Sequence, residues 1–333
     1  MGTGKLELKR HEENPILVAN PDHLWDGGTV FNCGATVTDD GKVVLLYRAV
    51  AKGYEKKPNG KGYMNYISRI GYAESEDGIH FSRRSDPFMI PDTDYDLFGC
   101  EDPRVTKFKD SEGLRYFITY TAMSAPAFSG RGDRVAVAST LDFSAVEKHG
   151  EVIPDLSDKD AVIFPERVNG KIVMFHRIEP NIQMVSFDSF DEIFNPNREF
   201  WRGYLNRLED HVVLQKRYEW EAEKVGSGPP PIKTDEGWLL FYHSVDKNSV
   251  YRCGVALLDL DDPSRVIARS PVPVLEPEED YERYGDVNNV VFPEGAVLLG
   301  DTLFLYYGAA DTCCALATVK LQEILDYLSK CKV

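Results

Sequence analysis

Two adjacent carboxylates followed by a proline and an arginine, Glu101-Asp102-Pro103-Arg104, give this sequence its strongest potential for chemistry. Proline has no N–H group and is disfavoured in the middle of a sheet, so the motif marks the start of a strand or a bulge. A carboxylate held there by rigid backbone is well placed for acid–base chemistry. An isolated Asp-Pro is more often a turn with solvated charges, so the interpretation depends on the rest of the chain.

The arrangement recurs five times along the chain. Each unit has a polar or proline-containing corner, a short turn, and then an apolar strand with a polar tip. With Asn32, Asp102, Glu166, Gly228 and Phe292 as markers, the intervals are 70, 64, 62 and 64 residues. Strand-rich units at such a period are typical of β-propellers, in which each blade is a sheet of about four strands. The sequence therefore predicts an all-β fold, a five-bladed β-propeller that forms a single domain over residues 1–333.

Helical patterning is clearest at the end of the chain. Apolar residues recur at i, i+3, i+4 and i+7 between Leu321 and Leu328, which predicts a C-terminal α-helix over about residues 319–330. A weaker helical pattern covers residues 205–220. A parallel α/β fold would need helices of about ten residues or more between its strands, and the pattern does not supply them. We expect the C-terminal helix to pack on the outside of the propeller or on a partner subunit.

Composition narrows the class of ligand. The chain has 54 acidic and 38 basic residues and a net charge of −16, with an isoelectric point near 4.9, which argues against nucleic acids and anionic membranes as partners. No apolar run approaches the roughly 18 residues of a membrane span, and residues 1–10 lack the apolar segment of a secretory signal. Six cysteines have neither metal-ligand spacing nor the density of a disulfide framework. The sequence predicts a cytoplasmic protein with reduced thiols.

The five corners of a propeller converge on one funnel, because the innermost strand of each blade lines the central channel. The corners and strand tips place these polar residues there: Asn32, Arg48, Glu101, Asp102, Arg104, Glu166, Arg167, His176, Arg177, Lys224, His243, Tyr251 and Asp311. Acids come from the second and fifth blades, whereas the third and fourth supply arginine, lysine and histidine. Such a basic cluster suits a compact oxyanion such as phosphate. The alternative is that each cation pairs with an acid at a blade edge.

Several motifs in this order resemble glycoside hydrolase family 130. They are Gly99-Cys100-Glu101-Asp102-Pro103-Arg104, Phe164-Pro165-Glu166-Arg167, His176-Arg177 and Lys224-Val225-Gly226-Ser227-Gly228-Pro229-Pro230. The resemblance runs from about Asn14 to Asp311. It implies a five-bladed propeller and the activity of an inverting β-mannoside phosphorylase, with phosphate as co-substrate, no other cofactor and no metal. Because oligomers occur in the family, it also raises the expectation of a homo-oligomer.

The resemblance implies a role for each matching residue. Asp102 is the expected catalytic proton donor, acting directly or through a sugar hydroxyl. The expected phosphate site consists of Arg167, Arg177, Lys224, His243 and Tyr251. The expected sugar site consists of Asn32, Arg48 and Asp311, with Glu101 and Arg104 contacting sugar or fixing the aspartate. Cys33 departs from the small residue or proline expected after Asn32.

One acid beside a cluster of cations fits phosphorolysis. An inverting glycosidase needs an acid for the leaving oxygen and a second carboxylate to activate water. An inverting phosphorylase needs only the acid, because phosphate is already an anionic nucleophile. The expected product is α-mannose 1-phosphate. The sequence leaves open whether the linkage is β-1,2 or β-1,4 and which sugar leaves, since both depend on loops such as residues 54–66.

Three alternatives stay open at this stage. A β-mannosidase of the same family would use water in place of phosphate. An arabinanase-like glycosidase would need three spaced carboxylates, for which Glu166 and Asp311 could join Asp102, but the arginines would then be unexplained. A propeller that only binds carbohydrate would not depend on the Asp102 carboxyl at all.

Overall fold

Strands dominate the chain and form the predicted five-bladed β-propeller. A computed structural model describes residues 6–111, 113–154 and 156–333; residues 1–5, part of the segment predicted to lack a signal, lie outside the described residues. Within that part, strands form five antiparallel sheets of four or five strands and one two-stranded sheet. Each large sheet is one blade. The blades follow one another around the channel in chain order, as contacts between their innermost strands establish.

The first two blades come from the N-terminal half of the chain. Two short strands precede them, β1 (Lys9–Arg10) and β2 (Leu17–Val18). Blade 1 consists of β3 (Thr29–Val37), β4 (Val43–Val50), β7 (Ser68–Ser75) and β8 (Ser82–Arg83), and a hairpin of β5 (Glu55–Lys56) and β6 (Tyr63–Met64) is inserted after β4. Blade 2 consists of β9 (Cys100–Asp110), β10 (Gly113–Met123), β11 (Asp133–Thr140) and β12 (Glu147–Glu151).

The remaining blades follow the same order from the channel outward. Blade 3 consists of β13 (Lys159–Ile163), β14 (Ile172–Arg177), β15 (Ile182–Phe187) and β16 (Val212–Leu214). Blade 4 consists of β17 (Lys224–Ser227), β18 (Ile232–Lys233), β19 (Trp238–Val245), β20 (Tyr251–Leu258) and β21 (Val266–Arg269). Blade 5 consists of β22 (Val291–Leu299), β23 (Thr302–Ala309) and β24 (Cys313–Lys320), on which β1 and β2 pair as outer strands.

Helices are short and lie outside the sheets. They are α1 (Phe190–Phe194), α2 (Arg198–Leu205), α3 (Asp280–Arg283) and α4 (Leu321–Leu328), with single 3₁₀ turns at Leu208–His211 and Glu219–Glu221. The helix predicted from the weak pattern over residues 205–220 does not form. Helix α2 ends at residue 205, and the β-branched residues of β16 form a strand that pairs with β15. None of the helices in the described ranges is long and apolar enough to cross a membrane.

The C-terminal helix packs on its own propeller. Helix α4 begins at Leu321, two residues later than predicted, because residues 319 and 320 are the last residues of β24. Its residues Ile324 and Leu328 are fully buried in a cluster that includes Leu8 and Ala268. The apolar stripe therefore covers the outer side of blades 4 and 5, the first of the two positions that the sequence left open.

Bulges interrupt four of the five innermost strands. In β3 and β22 the extra residues are Asn32 and Glu294. In β9 the two residues Asp102 and Pro103 lie opposite a single residue of β10, and in β13 Asp160 and Ala161 lie opposite a single residue of β14. The φ angles of Asn32, Asp102 and Asp160 are 45°, 51° and 54°, values that Asn and Asp tolerate better than most residues. An extra residue turns its side chain relative to the strand. The bulges therefore re-aim polar side chains beside the central channel.

A partly buried ion pair joins the N-terminal strand β1 to the helix α3 that precedes the strands of blade 5. The Arg10 guanidinium donates from Nε and Nη2 to the two carboxylate oxygens of Glu282 at 2.8 and 2.9 Å, and the Glu282 side chain is fully buried. Removing one partner of such a pair leaves an uncompensated buried charge.

We expect Arg10→Met to lower the free energy of unfolding by about 3 kcal/mol, measured by urea denaturation. The matched control is Lys9→Met on the same strand, because Lys9 is exposed and should change stability by less than about 0.5 kcal/mol. Equal effects of the two substitutions would contradict the role assigned to the pair.

Candidate active site

A cavity of about 300 Å³ opens where the innermost strands begin, and all five blades line it. Nine of the eleven residues predicted for the site lie on its wall. They are Asn32, Arg48, Glu101, Asp102, Arg177, Lys224, His243, Tyr251 and Asp311. Residues up to 279 positions apart in sequence are therefore brought to one place, as the convergence of corners predicted.

Asp102 and its partners form the acid side of the cavity. The Asn32 amide donates from Nδ2 to Asp102 Oδ1 at 2.8 Å, and Arg48 donates from Nη1 to the same oxygen at 3.1 Å. Arg48 also donates from Nη2 to Glu101 Oε1 at 2.6 Å. The rings of Phe31 and Tyr66 lie 4.7 and 5.7 Å from its guanidinium carbon. Arg48 thus holds both neighbouring carboxylates in fixed positions.

The charged neighbours of Asp102 and Glu101 affect the pKa values of the two carboxyl groups differently. Burial favours the neutral form of Asp102, but the positive charges of Arg48 and Lys159 outweigh burial and lower its pKa below the ordinary value. The pKa of Glu101 is raised, because there burial outweighs the attraction of Arg48. Asp102 is therefore a carboxylate in the free protein at neutral pH.

Asp311 lies on the same wall as Asp102 but differs from it in protonation state. Burial raises its pKa to about 7, with repulsion from Asp102 adding to burial and attraction by Arg48 opposing it. At neutral pH this carboxyl group exchanges its proton readily, and in its neutral form it can donate a hydrogen bond. This wall of the cavity thus carries an ionised Asp102 and a partly protonated Asp311.

The opposite wall carries the basic residues of blades 3 and 4. Asp160 lies at its centre: Oδ2 is 2.9 Å from Arg177 Nη1 and 3.4 Å from His243 Nε2. Lys224 Nζ lies 2.7 Å from Glu179 Oε1. Burial favours the neutral form of Asp160, but the charge of Arg177 outweighs it and lowers the pKa of the carboxyl group. The wall is therefore a set of donors arranged around an ionised aspartate.

His243 does not contribute a charge to this wall. Burial lowers the pKa of His243 to about 3 in spite of Asp160, so its imidazole is neutral at neutral pH. Arg177 Nη1 lies 3.3 Å from His243 Nε2, and because arginine only donates, Nε2 accepts and Nδ1 carries the hydrogen. In the part of the chain that the structure describes, buried His243 Nδ1 and Arg177 Nε have no hydrogen-bond partner. Both donors are enclosed in the protein behind the surface of the cavity.

Comparison with known proteins settles the family. The sequence profile of glycoside hydrolase family 130, described as beta-1,4-mannooligosaccharide phosphorylase, matches residues 8–330. The chain belongs to this family.

Other family 130 proteins are similar over their whole length. A 1,2-beta-oligomannan phosphorylase from Thermoanaerobacter sp. (strain X514) is 40% identical over 96% of this chain and 99% of its own. A beta-1,4-mannooligosaccharide phosphorylase from Ruminococcus albus is 30% identical over 96% of this chain and 90% of its own. The solved complex of beta-1,2-mannobiose phosphorylase from Listeria innocua with beta-1,2-mannobiose superposes with a TM-score of 0.77, at 32% identity over 97% of this chain and 99% of that one.

Arg167 lies outside the site of this family 130 protein, contrary to the prediction. The motif Phe164-Pro165-Glu166-Arg167 forms the turn after β13, at the opposite end of that strand from the cavity. Arg167 donates from Nη1 to the backbone oxygens of Gly170 and Asp188 at 3.0 and 2.9 Å. Glu166 was used to mark the corner of the third repeat, but it lies six residues beyond that corner. The residue of blade 3 that is equivalent to Asp102 is Asp160.

Arg104 lies beneath the cavity and does not line it. Its side chain is 1% exposed, and its donors point to backbone oxygens of Asp102 and Gly228, both at 3.1 Å, and to Asp160 Oδ1 at 3.0 Å. The expectation of a sugar contact is wrong. The alternative expectation, that Arg104 fixes the aspartate, agrees with its contact to the Asp102 backbone.

Sequence reasoning missed three charged residues of the cavity. Lys159 and Asp160 begin β13, and Asp133 begins β11. The signal for the first two was present, since a polar pair precedes an apolar run there as it does in blade 2. The proline motif six residues later drew the assignment away from it.

We expect the free energy of unfolding of Asp311→Asn to increase relative to that of the unsubstituted protein as the pH rises. A carboxyl group with a raised pKa contributes stability that is present at low pH and lost as the group ionises, and asparagine cannot ionise. The difference in unfolding free energy should grow by about 2–3 kcal/mol between pH 5 and pH 8, measured by urea denaturation.

The control for this experiment is Asp235→Asn, which alters an exposed carboxyl group outside the cavity. A pH-independent difference for Asp311→Asn would show that its carboxyl group titrates in the ordinary acidic range.

Proposed function

We propose that this protein catalyses inverting phosphorolysis of β-mannosides to α-mannose 1-phosphate. A phosphate oxygen forms a bond to C1 of the mannosyl unit while the bond from C1 to the leaving sugar oxygen breaks. The leaving oxygen takes its proton from the carboxyl group of Asp102, directly or through a sugar hydroxyl, and Asp102 becomes a carboxylate. Phosphate is the only co-substrate in this scheme, which contains no metal and no organic cofactor.

The protonation state of Asp102 suits the reverse reaction without adjustment. As a carboxylate it can take the proton from the hydroxyl of an acceptor sugar while α-mannose 1-phosphate donates the mannosyl group. In the forward direction Asp102 has to be protonated first. Bound phosphate adds negative charge and bound sugar excludes water, and both raise the pKa of a nearby carboxyl group.

The observation that carries the proposal is the basic wall opposite Asp102. Arg177, Lys224, His243 and Tyr251 line the cavity there, and Arg177 and Lys224 supply positive charge. Burial raises the pKa of Tyr251 to about 12, so its hydroxyl keeps a hydrogen to donate. Charged and neutral donors around one space are what a compact phosphate ion requires.

Hydrolysis, the alternative within the family, would need a base to activate water. Asp160 is the carboxylate on the wall opposite Asp102, where such a base would have to lie. However, its Oδ1 accepts from Arg104 at 3.0 Å and its Oδ2 lies 2.9 Å from Arg177. These charges lower the pKa of Asp160, and a carboxylate so stabilised is a weak base. The arrangement therefore favours phosphate over water as the nucleophile.

We further propose β-1,2-linked mannosides as the preferred substrates. The relative named for 1,2-β-oligomannan is 40% identical, whereas the relative named for β-1,4-mannooligosaccharides is 30% identical. The solved structure with 32% identity contains β-1,2-mannobiose. A β-1,4 preference is the second candidate, because the family profile is described by that linkage.

We also propose that the reaction takes place in the cytoplasm. All six cysteines are buried free thiols, which fits a reducing compartment. A phosphorylated sugar formed there is retained in the cell without consumption of ATP. Self-association into a homo-oligomer stays a prediction.

Incubation with β-1,2-mannobiose and β-1,4-mannobiose, with and without phosphate, tests the activity and the linkage together. We expect mannose 1-phosphate from β-1,2-mannobiose only when phosphate is present, and at least about tenfold less from the β-1,4 isomer. Release of free mannose without phosphate would establish hydrolysis. Faster phosphorolysis of the β-1,4 isomer would reverse the proposed linkage.

A matched pair of arginine variants tests the phosphate site. We expect Arg177→Met to lower kcat/KM for phosphate by about 100-fold or more, because a buried cation and its hydrogen bonds are lost. Arg167→Met should change the same parameter by less than about twofold, since Arg167 lies in a turn outside the cavity. Similar losses of kcat/KM in both variants would indicate that Arg167 also binds phosphate. No loss in either variant would indicate that phosphate binds elsewhere.

A further inference from the structure

We infer that Phe128 forms the wall against which the leaving sugar packs, and that the β5–β6 hairpin holds it there. The inference rests on the proposed function and adds a specificity-determining residue to it. Phe128 lies in the loop between β10 and β11 of blade 2, and the hairpin belongs to blade 1. Both elements are additions to the blades, outside the repeated corners.

The chemistry fixes the side on which the leaving sugar lies. In a single inverting displacement the nucleophile and the leaving oxygen are on opposite sides of C1. The donors proposed for phosphate are on blades 3 and 4, and the blades are arranged around the channel in chain order. The wall facing blades 3 and 4 across a five-bladed channel is that of blade 1, and Phe128, which blade 2 carries and which packs on the blade 1 tyrosines, lines the cavity. The leaving sugar is therefore directed toward Phe128.

Phe128 has the exposure and the strain of a ligand-contacting residue. Its side chain is 43% exposed although it lines a cavity, so an apolar ring face is available to a ligand. Its backbone φ is 59°, a conformation that is unfavourable for a bulky aromatic residue and concentrates at functional sites. An aromatic ring offers a flat apolar surface to the C–H face of a sugar.

The hairpin clamps the loop that carries this ring. Lys57 donates from Nζ to the backbone oxygen of Phe128 at 3.0 Å. Gly62 passes so close to the ring that a β-carbon there would lie 2.4 Å from Cγ of Phe128, so a side chain at position 62 would displace it. The Phe128 ring also contacts the rings of Tyr63 and Tyr66 at 5.9 and 5.4 Å between centroids. The position of the wall is thus fixed by contacts between two blades.

The same aromatic group reaches the rest of the site. Tyr66 covers the guanidinium of Arg48, which binds Asp102. The Tyr63 hydroxyl donates to the backbone oxygen of Asp286 at 3.2 Å, which joins the hairpin to blade 5. A change in the hairpin therefore alters the size of the space between Phe128 and the acid, and with it the choice of leaving sugar.

Synthesis from α-mannose 1-phosphate and mannose tests the inference, because acceptor and donor have separate KM values. The variants are Phe128→Gly, which removes the ring and relieves the unfavourable φ, and Phe128→Tyr, which keeps the ring. We expect Phe128→Gly to raise the KM of mannose about tenfold or more and to leave that of α-mannose 1-phosphate within about twofold. Phe128→Tyr should resemble the unsubstituted protein.

Two further variants complete the test. Gly62→Ala should raise the KM of mannose in the same direction by displacing the ring. Phe200→Ala removes a phenylalanine of similar exposure, 45%, on α2 and should leave both KM values unchanged. An acceptor KM within about twofold of normal in Phe128→Gly, or an equal rise in donor KM, would overturn the inference. Absence of synthesis from α-mannose 1-phosphate, with no phosphate released, in the unsubstituted protein would instead overturn the proposed function.

Discussion

The site depends on one buried cation, Arg104, in the central channel. Its guanidinium contacts the backbone oxygen of Asp102 in blade 2, the carboxylate of Asp160 in blade 3, and the backbone oxygens of Ser227 and Gly228 in blade 4. Glu294 of blade 5 lies 3.3 Å from Nη1. Because a buried guanidinium has to be paired and hydrogen-bonded, Arg104 fixes the relative positions of the innermost strands of four blades. Blade 1 joins through Gly34, where a β-carbon would lie 2.2 Å from the Pro103 backbone oxygen.

Arg104 contacts one aspartate from each of the two charged walls. Asp102 is anchored through its backbone to Arg104 and through its carboxylate to Arg48 and Asn32. Asp160 is anchored to the other end of the same guanidinium and orients Arg177 on the basic wall. One ion thus positions the proposed proton donor and the proposed phosphate-binding group at the same time. The bulges at Asp102 and Asp160 make this possible, since each turns a carboxylate out of the regular alternation of its strand.

The sequence was informative where the repeat was regular. The five-bladed propeller, the C-terminal helix and the placing of nine site residues on one cavity followed from corner spacing and from the resemblance to family 130. Arg167 was misassigned because Pro-Glu-Arg resembles Asp-Pro-Arg, although the two motifs lie at opposite ends of their strands. The burial of Arg104, the neutrality of His243 and the central position of Asp160 depend on distances between blades. The clamp between Gly62 and Phe128 likewise joins two loops whose contact no local pattern encodes.

The most direct test of the account is the anomeric configuration of the first product, followed by NMR during the reaction of β-1,2-mannobiose with phosphate. If Asp102 acts alone and phosphate replaces the second carboxylate, the initial product is α-mannose 1-phosphate. Initial formation of the β anomer would require a covalent intermediate on a second nucleophile. That result would contradict the assignment of the basic wall as the phosphate site.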